Sequence, residues 1–348
     1  MLSVLLSFNC TKLPDQPDLN AIKLNLPLEP FEYNILRTSA GNKYLRYEDS
    51  SIIDNNKATI GRILFYDKAL SINNSISCSS CHSQENAFAD AVPFSKGFEG
   101  VSTLRNSMHI TNLFDSRKAG YFWDGRESRI EEMVFAPIAN HIEMGFGQIE
   151  FIPEKIGNLP YYRSLFMTCY GDAQVTEKRM RECLGQFLYS IVSENSKFDK
   201  SLQNPLVKLS EEERWGLSVF ERNCMSCHAI TDDNEFSLWR DTITYANIGL
   251  DVNDADKGRN GLYKIPSLRN VSKTAPYMHD GRFKTLPEVL NHYRSGIKAN
   301  PNLSEHFGGK QGPWQLYMSD HEVDFLLAFL KTLDDDEVTK DPKFSSPF

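Results

Sequence analysis

The chain has 348 residues, 38 Lys and Arg against 46 Asp and Glu, a net charge of −8 and an isoelectric point near 5.6. That acidity argues against nucleic acid and anionic membrane surfaces as partners. With 41% hydrophobic and 24% charged residues, the composition is globular and the length suffices for two domains of about 150 residues with separate cores.

Met1 to Phe8 is a short apolar run without the basic start of an export signal, and it stops at Asn9-Cys10. It reads as the end of a lipoprotein signal with Cys10 as the lipidated residue, or as an ordinary cleaved signal, or as a disordered apolar end. Residues 1–40 are therefore expected to be a signal-like start and tether. No other run approaches the ~18 apolar residues of a membrane span.

Residues 41–205 are expected to form the first domain. Ala58 to Tyr66 places Ile60, Ile63 and Leu64 on one side of a short helix. Then comes Cys78-Ser79-Ser80-Cys81-His82, followed by an irregular stretch to Gly120 rich in small polar residues. A helical pattern from Ser128 is expected to end at Pro137. The longest helical pattern runs from Ala173 to Asn195, with Thr176 as its N-cap, and Asp199 to Pro205 reads as the interdomain linker.

Residues 206–348 are expected to form the second domain. Ser210 and Glu213 make a capping-box pattern for a helix that ends near Asn223 and leads into Cys224-Met225-Ser226-Cys227-His228. Ser319 and Glu322 repeat the pattern before an apolar helix, Val323 to Leu333. The chain is expected to be mostly α, with little strand.

Two cysteines spaced by two residues and followed at once by histidine form the attachment signature of c-type haem. The thiols bond to the haem vinyl groups and the histidine is placed to ligate the iron. A zinc site would want the two cysteine pairs about 15–20 residues apart, or a distant histidine pair. Four of the seven cysteines serve the haems, leaving Cys10, Cys169 and Cys183. A Cys169–Cys183 disulfide and a buried free Cys183 are both open. Haem is attached in this way outside the bacterial cytoplasmic membrane, so the expected location is the periplasm, with a lipid anchor if Cys10 is modified.

Further motifs are Gly61-Arg62-Ile63-Leu64-Phe65, Arg105-Asn106, Trp123-Asp124-Gly125-Arg126, Glu143-Met144, Pro266-Ser267-Leu268-Arg269-Asn270 and Thr274 to Gly281. Together with the two haem motifs, in this order, they make the chain resemble the bacterial dihaem cytochrome c peroxidase and MauG family. The resemblance implies two cytochrome-like domains packed with their haems facing a shared interface, His82 and His228 as proximal ligands, and a peroxidatic first haem fed by the second. It implies reduction of hydrogen peroxide to water, with electrons from a small cytochrome c or cupredoxin. The other branch uses peroxide to oxidise residues of a partner protein. Family members are often dimers, so a homodimer is a further expectation.

The resemblance also assigns residue roles. Glu143 matches the distal acid that shuttles a proton during peroxide cleavage, a task suited to a carboxyl whose pKa is raised by an apolar pocket. Trp123 matches the indole between the haems. Asn106, Thr274 and Pro276 match the positions that hold a calcium ion, while Asp251, Asn253, Asp254 and Asp256 read as a solvated acidic loop. Three positions depart from the best-known peroxidases. Phe98 stands where a histidine caps the peroxidatic iron, so the first site should be open when fully oxidised. Tyr293, fourteen residues after His279, stands where a methionine ligates the second iron. MauG also has tyrosine there; His292 and Met278 are the competing ligands. Met133 stands where a distal glutamine is common. His109 reads as structural, and His141, an alternative base without a family match, reads as an ordinary loop histidine.

Overall fold

A computed structural model describes residues 23–33, 53–113, 119–228, 245–252, 261–307 and 315–348. Cys10 and residues 253–256 of the acidic loop lie outside them.

Each half of the chain is built on a helix pair that crosses at a glycine. In the first, α1 (Asn55–Tyr66) is capped by the Asp54 carboxylate and buries Ile60, Ile63, Leu64 and Phe65. It packs on α6 (Glu177–Ser190), whose Thr176 cap and buried Met180, Leu184, Phe187 and Leu188 follow the expected helical spacing. Gly61 lies directly against the backbone carbonyl of Cys183, so any side chain there would force the helices apart. In the second, α8 (Glu211–Asn223) and α10 (Asp320–Lys331) each begin with the expected capping box. Gly216 rests on the Phe325 carbonyl in the same manner, and Phe220, Leu326, Phe329 and Leu330 form the core between them.

The elements between these pairs are short: α2 (Ile130–Met133), α3 (Ala136–Ala139), α4 (Ile152–Gly157), α5 (Pro160–Tyr170), α7 (Lys197–Gln203) and α9 (Leu286–Asn291). Two-residue strands β1 (Tyr245–Ala246) and β2 (Tyr263–Lys264) pair antiparallel. Two sequence expectations change. Pro137 does not end a helix; it occupies the first turn of α3, where its missing N–H costs nothing. The supposed linker begins inside a helix, α7, capped by Ser196 and Asp199 bonding to each other's backbone N–H.

Asp199 also ties the halves together. Its carboxylate receives both Arg269 nitrogens at 2.8 and 2.9 Å in a buried pair. Beside it, Asn270 Nδ2 donates to Ser193 Oγ at 2.8 Å, and Asn270 Oδ1 accepts from the Asp335 N–H at 2.8 Å. The C-terminal segment then returns to the first core, where Phe344 packs on Phe88 and Phe187.

Candidate active site

The first CxxCH sits on a tight turn, Cys78–Ser80, beside the end of α1. The His82 backbone N–H reaches back to the Cys78 carbonyl at 3.0 Å, folding the histidine over the turn. Ala87 and Phe88 adopt left-handed backbone (φ 51° and 63°), and the Phe88 carbonyl lies 3.0 Å from His82 Nδ1. Burial lowers the imidazole pKa, against that hydrogen bond. A neutral ring donating from Nδ1 leaves the Nε2 lone pair for a metal. Both cysteines and His82 line a cavity of about 870 Å³, within the ~300–1,000 Å³ of ligand sites.

The second CxxCH repeats the arrangement. Cys224 caps α8, the His228 N–H bonds to the Cys224 carbonyl at 2.8 Å, and His228 Nδ1 lies 3.1 Å from the Pro266 carbonyl. Burial pushes His228 down to about 4. Cys224, Cys227 and His228 line a cavity of about 330 Å³. Among the described residues no cluster of three His, Cys, Asp or Glu could hold a metal by itself. Paired thiols beside one half-buried neutral histidine, facing a large apolar cavity, fit covalent haem and do not fit zinc.

Tyr293 lines the second cavity from a π-helical turn, His292–Gly296, that follows α9. Its phenol pKa is raised, first by burial and then by the Cys224 and Cys227 thiols. The rival His292 is turned away, its Nε2 held by the Ile248 carbonyl at 2.9 Å. Met278 does reach this cavity. So do His306 and Met318, which the sequence gave no reason to choose.

Glu143 lines the first cavity. Burial raises its carboxyl pKa, partly opposed by Arg126. Asn140 at the end of α3 positions it: Asn140 Oδ1 accepts from the Ile142 N–H at 2.8 Å, and Asn140 Nδ2 donates to Glu143 Oε1 at 3.1 Å. Asn140 faces the same cavity, as does Met133. An amide is thus present beside the acid, three residues before it instead of ten. His141 is exposed. Phe98 turns its ring onto Gly145, where a Cβ would stand 2.5 Å from Phe98 Cε1. Of this loop pair it is Gly97, not Phe98, that lines the cavity.

Trp123 lines both cavities, its indole N–H donating to the Asn106 carbonyl at 2.8 Å. Tyr263 meets it edge to face at 6.4 Å and stacks on His279 at 3.8 Å. His109 lies in the same wall, bonded to Thr111 Oγ1 at 2.9 Å and facing the Ser267 carbonyl at 3.3 Å, which fits a structural role. The Asn106 amide donates to the Val92 and Pro93 carbonyls at 3.1 and 3.2 Å, leaving Oδ1 as the oxygen able to face a cation. Thr274 and Pro276 border the second cavity. Asp251, read as part of a solvated loop, keeps a 40% exposed side chain and pairs with Arg282 and Lys298. Cys183 is a buried free thiol and Cys169 is also free.

Known proteins share this arrangement. The family described as di-haem cytochrome c peroxidase matches residues 55–205, and the cytochrome c family matches residues 213–334. Methylamine utilization protein MauG of Methylophilus methylotrophus is 30% identical over 292 residues, 80% of this chain and 82% of its own. Cytochrome c551 peroxidase of Nitrosomonas europaea is 30% identical over 298 residues, 83% of this chain and 82% of its own. Among solved structures, a MauG-like protein associated with microbial copper homeostasis superposes with a TM-score of 0.73 at 30% identity, over 85% of this chain and 94% of that one. The diheme peroxidase BthA of Burkholderia thailandensis shares the fold, with a TM-score of 0.68 at 21% identity, over 85% of this chain and 90% of that one. The chain belongs to the bacterial dihaem cytochrome c peroxidase and MauG family, and is a peroxidase oxidoreductase with two c-type haems.

Proposed function

We propose that the protein reduces hydrogen peroxide to two waters in the first cavity, consuming two protons and two electrons from a small cytochrome c or cupredoxin outside the cytoplasmic membrane. The observation that carries this is Glu143, a half-buried carboxyl held by Asn140 in the wall of the cavity that His82 and both first-site cysteines line. Haem supplies the redox-active iron and the electrons stored on it. The side chains do the rest. Glu143 takes a proton from one peroxide oxygen and returns it to the other as the O–O bond breaks. Asn140 keeps the acid aimed inward. Trp123, shared by both cavities, offers an aromatic step for electrons passing between them. His228 and Tyr293 hold the second iron, and Asn106, Thr274 and Pro276 hold calcium near the wall.

A second reading is oxidation of residues on a partner protein. It draws on Tyr293, on Phe98 packed against Gly145 and off the cavity wall, and on the 30% identity to a MauG. Steady-state assays with reduced cytochrome c and peroxide separate the two. The peroxidase reading expects two cytochromes oxidised per peroxide over many turnovers. Consumption limited to about one turnover would exclude it.

A further inference from the structure

We propose that Lys264 is the counter-ion of a propionate of the first haem and holds up that haem's reduction potential. Lys264 is only 4% exposed and lines both cavities from β2 of the second half. Its position is fixed three ways. Its backbone N–H donates to the Trp123 carbonyl at 2.7 Å, its Nζ donates to the Gly120 carbonyl at 3.2 Å, and its strand partner Tyr245 hydrogen-bonds to the Ala119 carbonyl.

The other cations on the first cavity have carboxylates. Arg105 and Arg126 share Asp124 at 2.8 and 3.1 Å, and Arg282 is paired with Asp251 at 2.6 Å. Lys264 has no carboxylate partner among the described residues. Buried lysines without one are rare because desolvating an ammonium is costly. Burial pushes Lys264 down to about 8, a cost that a carboxylate beside the ammonium would offset. A haem brings two propionates, on the edge opposite the vinyl groups that bond to Cys78 and Cys81. They would meet the cavity wall away from those cysteines, where the second half of the chain contributes Lys264. The Nζ contact is with Gly120, whose neighbour Tyr121 lines the first cavity and not the second, so the ammonium is tied to the half of the chain that carries the first haem motif. A fixed positive charge beside a haem favours the state with one more electron.

The inference rests on the two-haem reading, whose failure would appear separately as a haem content other than two per chain. The test is spectroelectrochemical titration of the holoprotein carrying Lys264→Met, Lys264→Gln or Lys264→Arg. The neutral variants should make the first haem about tenfold harder to reduce, 59 mV for one electron, and the arginine variant should stay near wild type. An unchanged first-haem potential in both neutral variants, or a shift confined to the second haem, overturns the proposal. Loss of the first haem from the neutral variants but not from Lys264→Arg would support the charge pairing. Its loss from all three would overturn it.

Discussion

On the proposed reading, Glu143 carries the chemistry because of where its carboxyl is kept. Desolvation favours the protonated form, so the acid gives up its proton at higher pH than an exposed glutamate, with Arg126 limiting the rise. A group that must begin as a base loses activity as pH falls through its own pKa. The acid limb of kcat/KM for peroxide should therefore lie above the ordinary glutamate range. Glu143→Gln should lower kcat/KM by about 10²–10⁴-fold, abolish that limb and leave both haem spectra in place. Normal turnover in the variant would remove Glu143 from the mechanism. Asn140 was not legible in the sequence, because the amide expected ten residues before the acid comes from three residues before it. Lys264 was hidden for a related reason: that no carboxylate among the described residues meets its ammonium is visible only in the fold.

Elements were legible where one face is apolar and the ends are marked. The spacing of Ile60, Ile63 and Leu64 located α1, Thr176 fixed the start of α6, and Ser319 with Glu322 fixed the start of α10. Most of the misses were short elements, the exception being the 11-residue α5. Seven-residue α7 offers too little period to read, and its capping box uses Asp199 in place of Glu or Gln. β1 and β2 have two residues each, too few for any alternation. The π-helical turn at His292–Gly296 belongs with these: it turns His292 toward the Ile248 carbonyl while Tyr293 faces the second cavity. Sequence left those neighbours as rivals, and the local helix type separates them. A phenolate ligand stabilises oxidised iron more than a thioether does. Tyr293→Met should accordingly raise the second haem's potential, as followed by spectroelectrochemistry, and an unchanged potential would exclude Tyr293 as a ligand.

At the scale of the molecule, the two helix pairs must be held in register for Trp123 to serve both cavities. The buried Asp199–Arg269 pair joins the end of the first half to the loop whose Pro266 carbonyl orients His228. Burial raises the Asp199 pKa, but Arg269 outweighs it and the net shift is downward. With the folded value below the unfolded one, the pair's contribution is present above about pH 4 and is lost as pH falls through the folded pKa. Asp199→Asn would leave a buried guanidinium uncompensated and should cost about 3–5 kcal/mol in chemical denaturation at neutral pH. A cost near zero would show that the pair does not hold the halves together.

The same frame makes the two haem sites unequal. Tyr293 lines the second cavity, whereas Phe98 turns onto Gly145 and does not line the first; on the proposed reading the second iron is closed by Tyr293 and the first is open. Rapid mixing of the fully oxidised protein with hydrogen peroxide, followed by stopped-flow absorption, tests this most directly. The account predicts an immediate change in the haem spectrum with no reductant present, much slowed in Glu143→Gln. No change until one electron per molecule has been added would contradict it.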